Sequence, residues 1–135
     1  MKILLVLSLL FFGNAFAQSQ DTQLSFSLER DGLKSIVILH SIKKFPCKNY
    51  MFDLRDYQNA DTTILIVMDF LKPVDCIGPR SVAEEKYIFT PPAKRFYLQL
   101  RYKGKRDMWR IFQHDTAYLV RPEGVSFSTY DELKK

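Results

Sequence analysis

Two cysteines, two histidines, one tryptophan and five glycines are all this chain offers of the residues from which most recognisable sites are built. His40 and His114 fall in different segments, and neither has a cysteine or histidine partner at a zinc-binding spacing. There is no G-x-S-x-G elbow and no glycine-rich phosphate loop. His114 and Asp115 are neighbours, but neighbours on a strand point to opposite faces, so they do not read as a base and its orienting acid. Asp53, Asp56, Asn59 and Asp61 offer calcium-friendly oxygens without the spacing of an EF-hand loop, which makes a solvated turn the simpler reading. No motif calls for a metal or a cofactor.

Long apolar runs are equally scarce. The one that stands out lies at the start: Lys2 supplies a positive charge, Ile3–Phe12 is apolar apart from Ser8, and Ala15-Phe16-Ala17 places small residues at the −3 and −1 positions. This is the pattern of a secretory signal peptide, residues 1–17, cleaved after Ala17. A membrane anchor would need about 20 apolar residues, and the polar run Gln18–Gln23 comes too soon. The expected location is secreted or periplasmic, with no transmembrane segment after cleavage. Residues 18–135 then form a single domain, long enough to bury roughly two-thirds of its unfolded surface around one core.

In an exported chain the even cysteine count reads as a disulfide, Cys47–Cys76. A hairpin of Cys47–Arg55 with Thr62–Leu71 around Tyr57–Asp61 sets residue 47 opposite about residue 71, with Cys76 in reach just beyond. A reactive thiol is the weaker alternative, since it needs an environment that lowers its pKa and no histidine is near either cysteine.

Alternation carries the fold. Thr22–Glu29 places Leu24, Phe26 and Leu28 on one face, and Asp31-Gly32 makes the turn into Ser35–Ile42, pairing Glu29 with Lys34. Lys43-Lys44-Phe45-Pro46 interrupts the pattern, Cys47–Arg55 resumes it, and Asp56–Asp61 reads as a loop. Thr62–Leu71 is apolar on both faces and belongs in the middle of a sheet. Lys72–Ala83 is irregular, Glu84–Thr90 and Thr116–Arg121 are short strands, and the end after Val125 adds a frayed strand at most. Short strands separated by regular turn signals, with no helical pattern, predict an all-β protein. The expected architecture is a single antiparallel β-sandwich, immunoglobulin-like in general plan, with a small closed β-barrel as the alternative.

The distribution of charge is the strongest functional signal. The whole chain has a net charge of +5, yet Lys94–Arg110 alone holds seven basic residues and one acid, so the remainder is slightly acidic. The segment reads as a hairpin, Arg95–Lys103 and Arg106–His114 around Gly104-Lys105, in which facing residues have numbers summing to 209. One face then holds Phe96, Leu98, Leu100 and Tyr102 against Asp107, Trp109, Ile111 and Gln113, a core face. The other holds Arg95, Tyr97, Gln99, Arg101 and Lys103 against Arg106, Met108, Arg110, Phe112 and His114.

Arginine, tyrosine, phenylalanine and methionine together are the mixture enriched at binding surfaces. Arg95, Tyr97, Arg101, Lys103, Arg106, Met108, Arg110 and Phe112 are therefore the candidate contact residues of a non-enzymatic binding module. The partner class is an anionic protein, a polysaccharide or an envelope surface; export argues against nucleic acid. The competing explanation is a solvated face of an edge hairpin, charged to block edge-to-edge aggregation. Two further readings are an apolar-ligand (lipid) carrier with Phe45, Tyr50, Phe52, Phe70 and Phe89 lining a gap between the sheets, and, less favoured, a small secreted hydrolase without a motif.

The leader makes a direct prediction. Intact-mass measurement of exported protein should give a chain beginning at Gln18, and material retaining residues 1–17 would refute the cleavage.

Overall fold

Alternation along the first strand sets the plan of the molecule, because every second residue must find apolar cover. The computed structural model describes residues 22–132, so the leader lies outside the described residues. β1 (Leu24–Asp31) turns Leu24, Phe26 and Leu28 inward and pairs antiparallel with β2 (Lys34–Phe45). The loop between them is Gly32-Leu33 rather than Asp31-Gly32. Gly32 sits at φ +62°, at the first loop position, which type II′ hairpins reserve for glycine. Asp31, not Glu29, therefore faces Lys34, and Glu29 faces Ile36. The slip is of two residues, so both inward faces survive it.

β3 (Met51–Asn59) and β4 (Thr62–Leu71) form the second hairpin, and β5 (Ser81–Phe89) crosses back to β2. β6 (Arg95–Tyr102) and β7 (Lys105–His114) form the third, followed by β8 (Ala117–Pro122) and β9 (Ser128–Tyr130). The strands make two open sheets, one of four in the order β5-β2-β1-β9 and one of five in the order β3-β4-β6-β7-β8. Among the described residues there is no helix and no barrel closure. The result is the β-sandwich expected. Its pairing is antiparallel except at β1–β9 and β4–β6, which are parallel.

Several expected boundaries move, for identifiable reasons. Asp56–Asn59 is strand, with only Ala60-Asp61 left as a loop: β3 is an edge strand, so polar side chains suit its open flank while its backbone still bonds to β4. Met51, rather than residue 47, stands opposite Leu71. β2 continues through Lys43-Lys44-Phe45 because a bulge between His40 and Lys44 restores its pairing to β5, which therefore begins at Ser81. The expected frayed strand after Val125 is an ordered one, Ser128–Tyr130. β9 runs beside β1, and the Asp131 amide donates to the Phe26 carbonyl at 2.8 Å.

The core lies between the sheets. Phe26, Leu39, Phe96, Leu98, Leu100, Ile111 and Phe127 are buried, and Phe26 meets Trp109 edge to face with ring centroids 5.2 Å apart. Fully burying such a side chain stabilises the fold by about 1.5–3 kcal/mol. At one open margin the Tyr87 hydroxyl donates to Asp56 at 2.5 Å, bridging β5 to β3. Burial, and then the hydrogen bond and charge of Asp56, raise the Tyr87 pKa above the ordinary phenol value.

The densest polar contact joins the sheets from within. Asp107, on β7, is fully buried. Its Oδ1 accepts from the Ser126 amide (2.8 Å) and hydroxyl (3.1 Å). Its Oδ2 accepts from the amides of Phe127 (3.0 Å) and Ser128 (2.8 Å) and from the Ser128 hydroxyl (2.6 Å). The Trp109 indole donates to the same Ser128 hydroxyl oxygen at 2.9 Å. Asp107→Ala leaves these donors without an acceptor in a dry core. It should cost at least about 3 kcal/mol in urea unfolding, since each orphaned buried group costs about 1–3 kcal/mol.

Cys47 and Cys76 form the expected disulfide, with their Cα atoms 5.4 Å apart. It ties the β2–β3 connection to the β4–β5 connection, beside a hydrogen bond from the Lys48 amide to the Ile77 carbonyl. The bond closes a sequence separation of 29 residues, for which the chain-entropy relation gives about 3.5 kcal/mol. A Cys47→Ser/Cys76→Ser variant should unfold at a distinctly lower temperature than the oxidised protein, and free thiols in the folded, air-exposed chain would rule the bond out.

Candidate functional site

Lys103 and Gly104 form the loop of the third hairpin, both at positive φ (+48° and +75°), as a two-residue type I′ turn requires. Facing residues thus have numbers summing to 207 rather than 209: Arg101 lies opposite Arg106, Tyr97 opposite Arg110, and Arg95 opposite Phe112. The correction is again two residues, so the division into faces holds. Phe96, Leu98, Leu100, Asp107, Trp109 and Ile111 are buried on the inner side. Arg95, Tyr97, Arg101, Lys103, Arg106, Met108, Arg110 and Phe112 are half-buried or exposed, the strand residues among them on the outer side.

The hairpin is not at an edge. β4 flanks β6 and β8 flanks β7, so the edges of this sheet are β3 and β8. Protection of an open edge therefore does not account for the hairpin's charge. Its only acid between Lys94 and Arg110 is Asp107, which is spent inside the core.

The neighbours enlarge the outer face. On β3 and β4, Arg55 faces Ile66 and Tyr57 faces Ile64, and Ile66 in turn faces Arg101 across the parallel pair. On β8, Leu119 faces Phe112 and Arg121 faces Arg110. Arg55, Tyr57, Ile66, Leu119 and Arg121 thus join the eight residues named from sequence. Their alternation was visible, but the strand order that brings them beside the hairpin was not.

Six arginines share this face, and two pairs of them are direct cross-strand neighbours, Arg101–Arg106 and Arg110–Arg121. Like charges in that position destabilise a sheet. Compensation is partial. Arg110 Nε lies 3.3 Å from Glu123 Oε1, and this is the only arginine–carboxylate ion pair among the described residues. The Arg101 guanidinium sits 5.8 Å from the Tyr57 ring centre and its Nε donates to Gln99 Oε1 at 2.5 Å, while Arg95 lies 5.1 Å from the Phe112 ring. Cation–π contacts of this kind hold guanidinium groups in place while leaving their charge available.

Two shallow grooves open on this side. One, of about 470 Å³, lies at the hairpin tip among Arg101, Lys103, Lys105 and Arg106, with Ile66 and Met68 beside them. The other, of about 290 Å³, lies among Arg95, Arg110 and Arg121 around Phe112 and Leu119. Both combine guanidinium forks with apolar surface, an arrangement that can take an anionic group and desolvate what is attached to it.

The other expected chemistry is placed as follows. His114 and Asp115 do approach, Nε2 to Oδ2 3.7 Å, because β7 ends at His114 and Asp115 enters the turn at φ +53°. The strand argument against the pair therefore fails, but the separation exceeds a hydrogen bond and both side chains are largely exposed. Asp53, Asp56 and Asn59 are spread along β3, with Asp61 in its loop, and no group of three or more potential metal ligands occurs among the described residues. Phe45, Tyr50, Phe52 and Phe70 pack ring on ring, with centroids 4.4–5.0 Å apart, and Phe89 packs on Phe96 at 5.7 Å.

Searches against family models, curated proteins and solved structures returned no match for this chain.

Proposed function

We propose that the protein is an exported, non-enzymatic binding module that engages an anionic partner, an acidic protein, a polysaccharide or an envelope surface, through the outer face of its five-stranded sheet. The observation that carries this reading is arginine facing arginine across neighbouring strands, Arg101 with Arg106 between the two interior strands and Arg110 with Arg121 between β7 and the edge strand β8. Such pairs cost the isolated fold stability, and an anion lying over them turns that repulsion into affinity. The half-buried Tyr97, Met108 and Phe112 between them supply the apolar centre that gives a polar-rimmed interface its holding power. The leader and the disulfide support export. The aromatic residues that would line a site for an apolar cargo are instead packed against one another.

The test is a double substitution, Arg101→Ala with Arg110→Ala. Arg101→Ala loses a part-buried hydrogen bond to Gln99 and Arg110→Ala an exposed ion pair, while each relieves one like-charge pair, so unfolding free energy should stay within about 1 kcal/mol of the parent. Retention of the protein on an immobilised polyanion should fall, and the dependence of its binding on salt should flatten. A variant that unfolds would show the arginines to be structural. A variant that binds unchanged would remove the face from function.

A further inference from the structure

The two grooves lie on one side of one sheet, at opposite ends of the β6–β7 hairpin. Arg106 belongs to the tip groove and Arg110 to the other, four residues apart on β7 and so about 13 Å apart at the usual strand rise. Arg101 and Arg95 are six residues apart on β6, or about 20 Å. Between the two groups half-buried Met108 faces buried Gln99, and half-buried Tyr97 faces Arg110, a mixed strip bordered by cations at both ends. We infer that the grooves are two subsites of one extended site for a linear polyanionic polysaccharide lying along the β6–β7 direction. Sulfate or carboxylate groups would sit in the grooves and sugar ring faces on the strip between. The inference rests on the anion-binding reading above and narrows its partner.

Three observations favour this occupant. The backbone groups of β6 and β7 are already paired on both sides, so a peptide could add as a strand only at the outer edge of β8, and over the hairpin itself recognition falls to side chains. The cations border two shallow concave grooves, to which a chain conforms more closely than a planar bilayer surface. Exposed Met68 and Leu119, the apolar residues that a bilayer would have to receive, stand on β4 and β8 at opposite margins of the site rather than together at one protruding end. Glu123, ion-paired with Arg110, is the acid that a polyanion would have to displace.

The experiment is calorimetric titration of the full exported protein with size-fractionated heparin fragments as the probe. Fragments too short to span the grooves should bind weakly with two per protein. Once the fragment reaches both, stoichiometry should fall to one and affinity should rise by at least about tenfold through effective concentration. Arg95→Ala/Arg121→Ala and Lys103→Ala/Arg106→Ala should each return long fragments to the short-fragment affinity, with no loss in thermal midpoint. Glu123→Gln should tighten binding of the long fragments. Affinity independent of length overturns the extended site while leaving an anion-binding face. Failure of every heparin fragment alongside binding of polyglutamate or of vesicles containing phosphatidylserine overturns the polysaccharide and leaves that face with another partner. Failure with all of these polyanions overturns both the inference and the function it rests on.

Discussion

A single buried carboxylate decides how the two sheets are held. Asp107 projects inward from β7, in the five-stranded sheet, and its five acceptor contacts all reach Ser126, Phe127 and Ser128, the approach to β9 in the four-stranded sheet. Three successive backbone amides aimed at one anion form a nest, and hydrogen bonds to an ionised acceptor are about twice as strong as neutral ones. Without these donors a buried charge would be prohibitive. With them, Phe127 is held in the core, β9 is laid beside β1, and the Trp109 indole finds its acceptor on Ser128. A three-residue parallel strand at the end of a chain has little reason to order by itself; the carboxylate supplies one.

The same residue shapes the electrostatics of the opposite side. Alternation sends Asp107 inward and its neighbours Arg106 and Met108 outward. The one acid within the basic segment is thus withdrawn from the surface, where it would have neutralised an adjacent arginine. What remains outside is a cationic field on a rigid support, tempered at one point by Glu123. The grooves at either end of the hairpin inherit that asymmetry: the tip groove is bordered by four cations, whereas in the second groove one of three arginines is already engaged.

The sequence made faces legible and left registers and neighbours obscure. Strand faces depend only on parity, and the first and third hairpins each slipped by two residues, Asp31 replacing Glu29 opposite Lys34 and Arg106 replacing its expected neighbour opposite Arg101. Burial could therefore be assigned correctly with the wrong turn. The loops were misplaced because each glycine was assigned the wrong position in its turn: Gly32 is the first loop residue and Gly104 the second, behind a lysine that itself takes positive φ. Polar Asp56–Asn59 reads as a loop because at the edge of the sheet it is exposed on both faces and needs no apolar alternation. The five donors to Asp107 lie 19 to 21 residues downstream, and no local pattern announces a contact at that distance. The outer residues of β3 and β8 were missed for the same reason, since parallel pairing of β4 with β6 is a property of topology.

That topology also explains why the basic segment has the character of a site rather than of a guarded edge. Edge strands carry lysine because flexible, strongly hydrated ammonium groups discourage pairing; β6 and β7 have no free edge to discourage. Their outer strand positions are instead dominated by arginine, whose planar fork is preorganised for carboxylate and sulfate, and two of these forks rest near aromatic rings that restrict them further. Holding donors in place before the partner arrives lowers the ordering entropy lost on binding. Interior strands paired on both sides provide the stiffest platform a sandwich has. Placing Arg101 opposite Arg106 there concentrates repulsion where the backbone is least able to relax it, and an anion bound as proposed would relieve that repulsion without requiring the sheet to move.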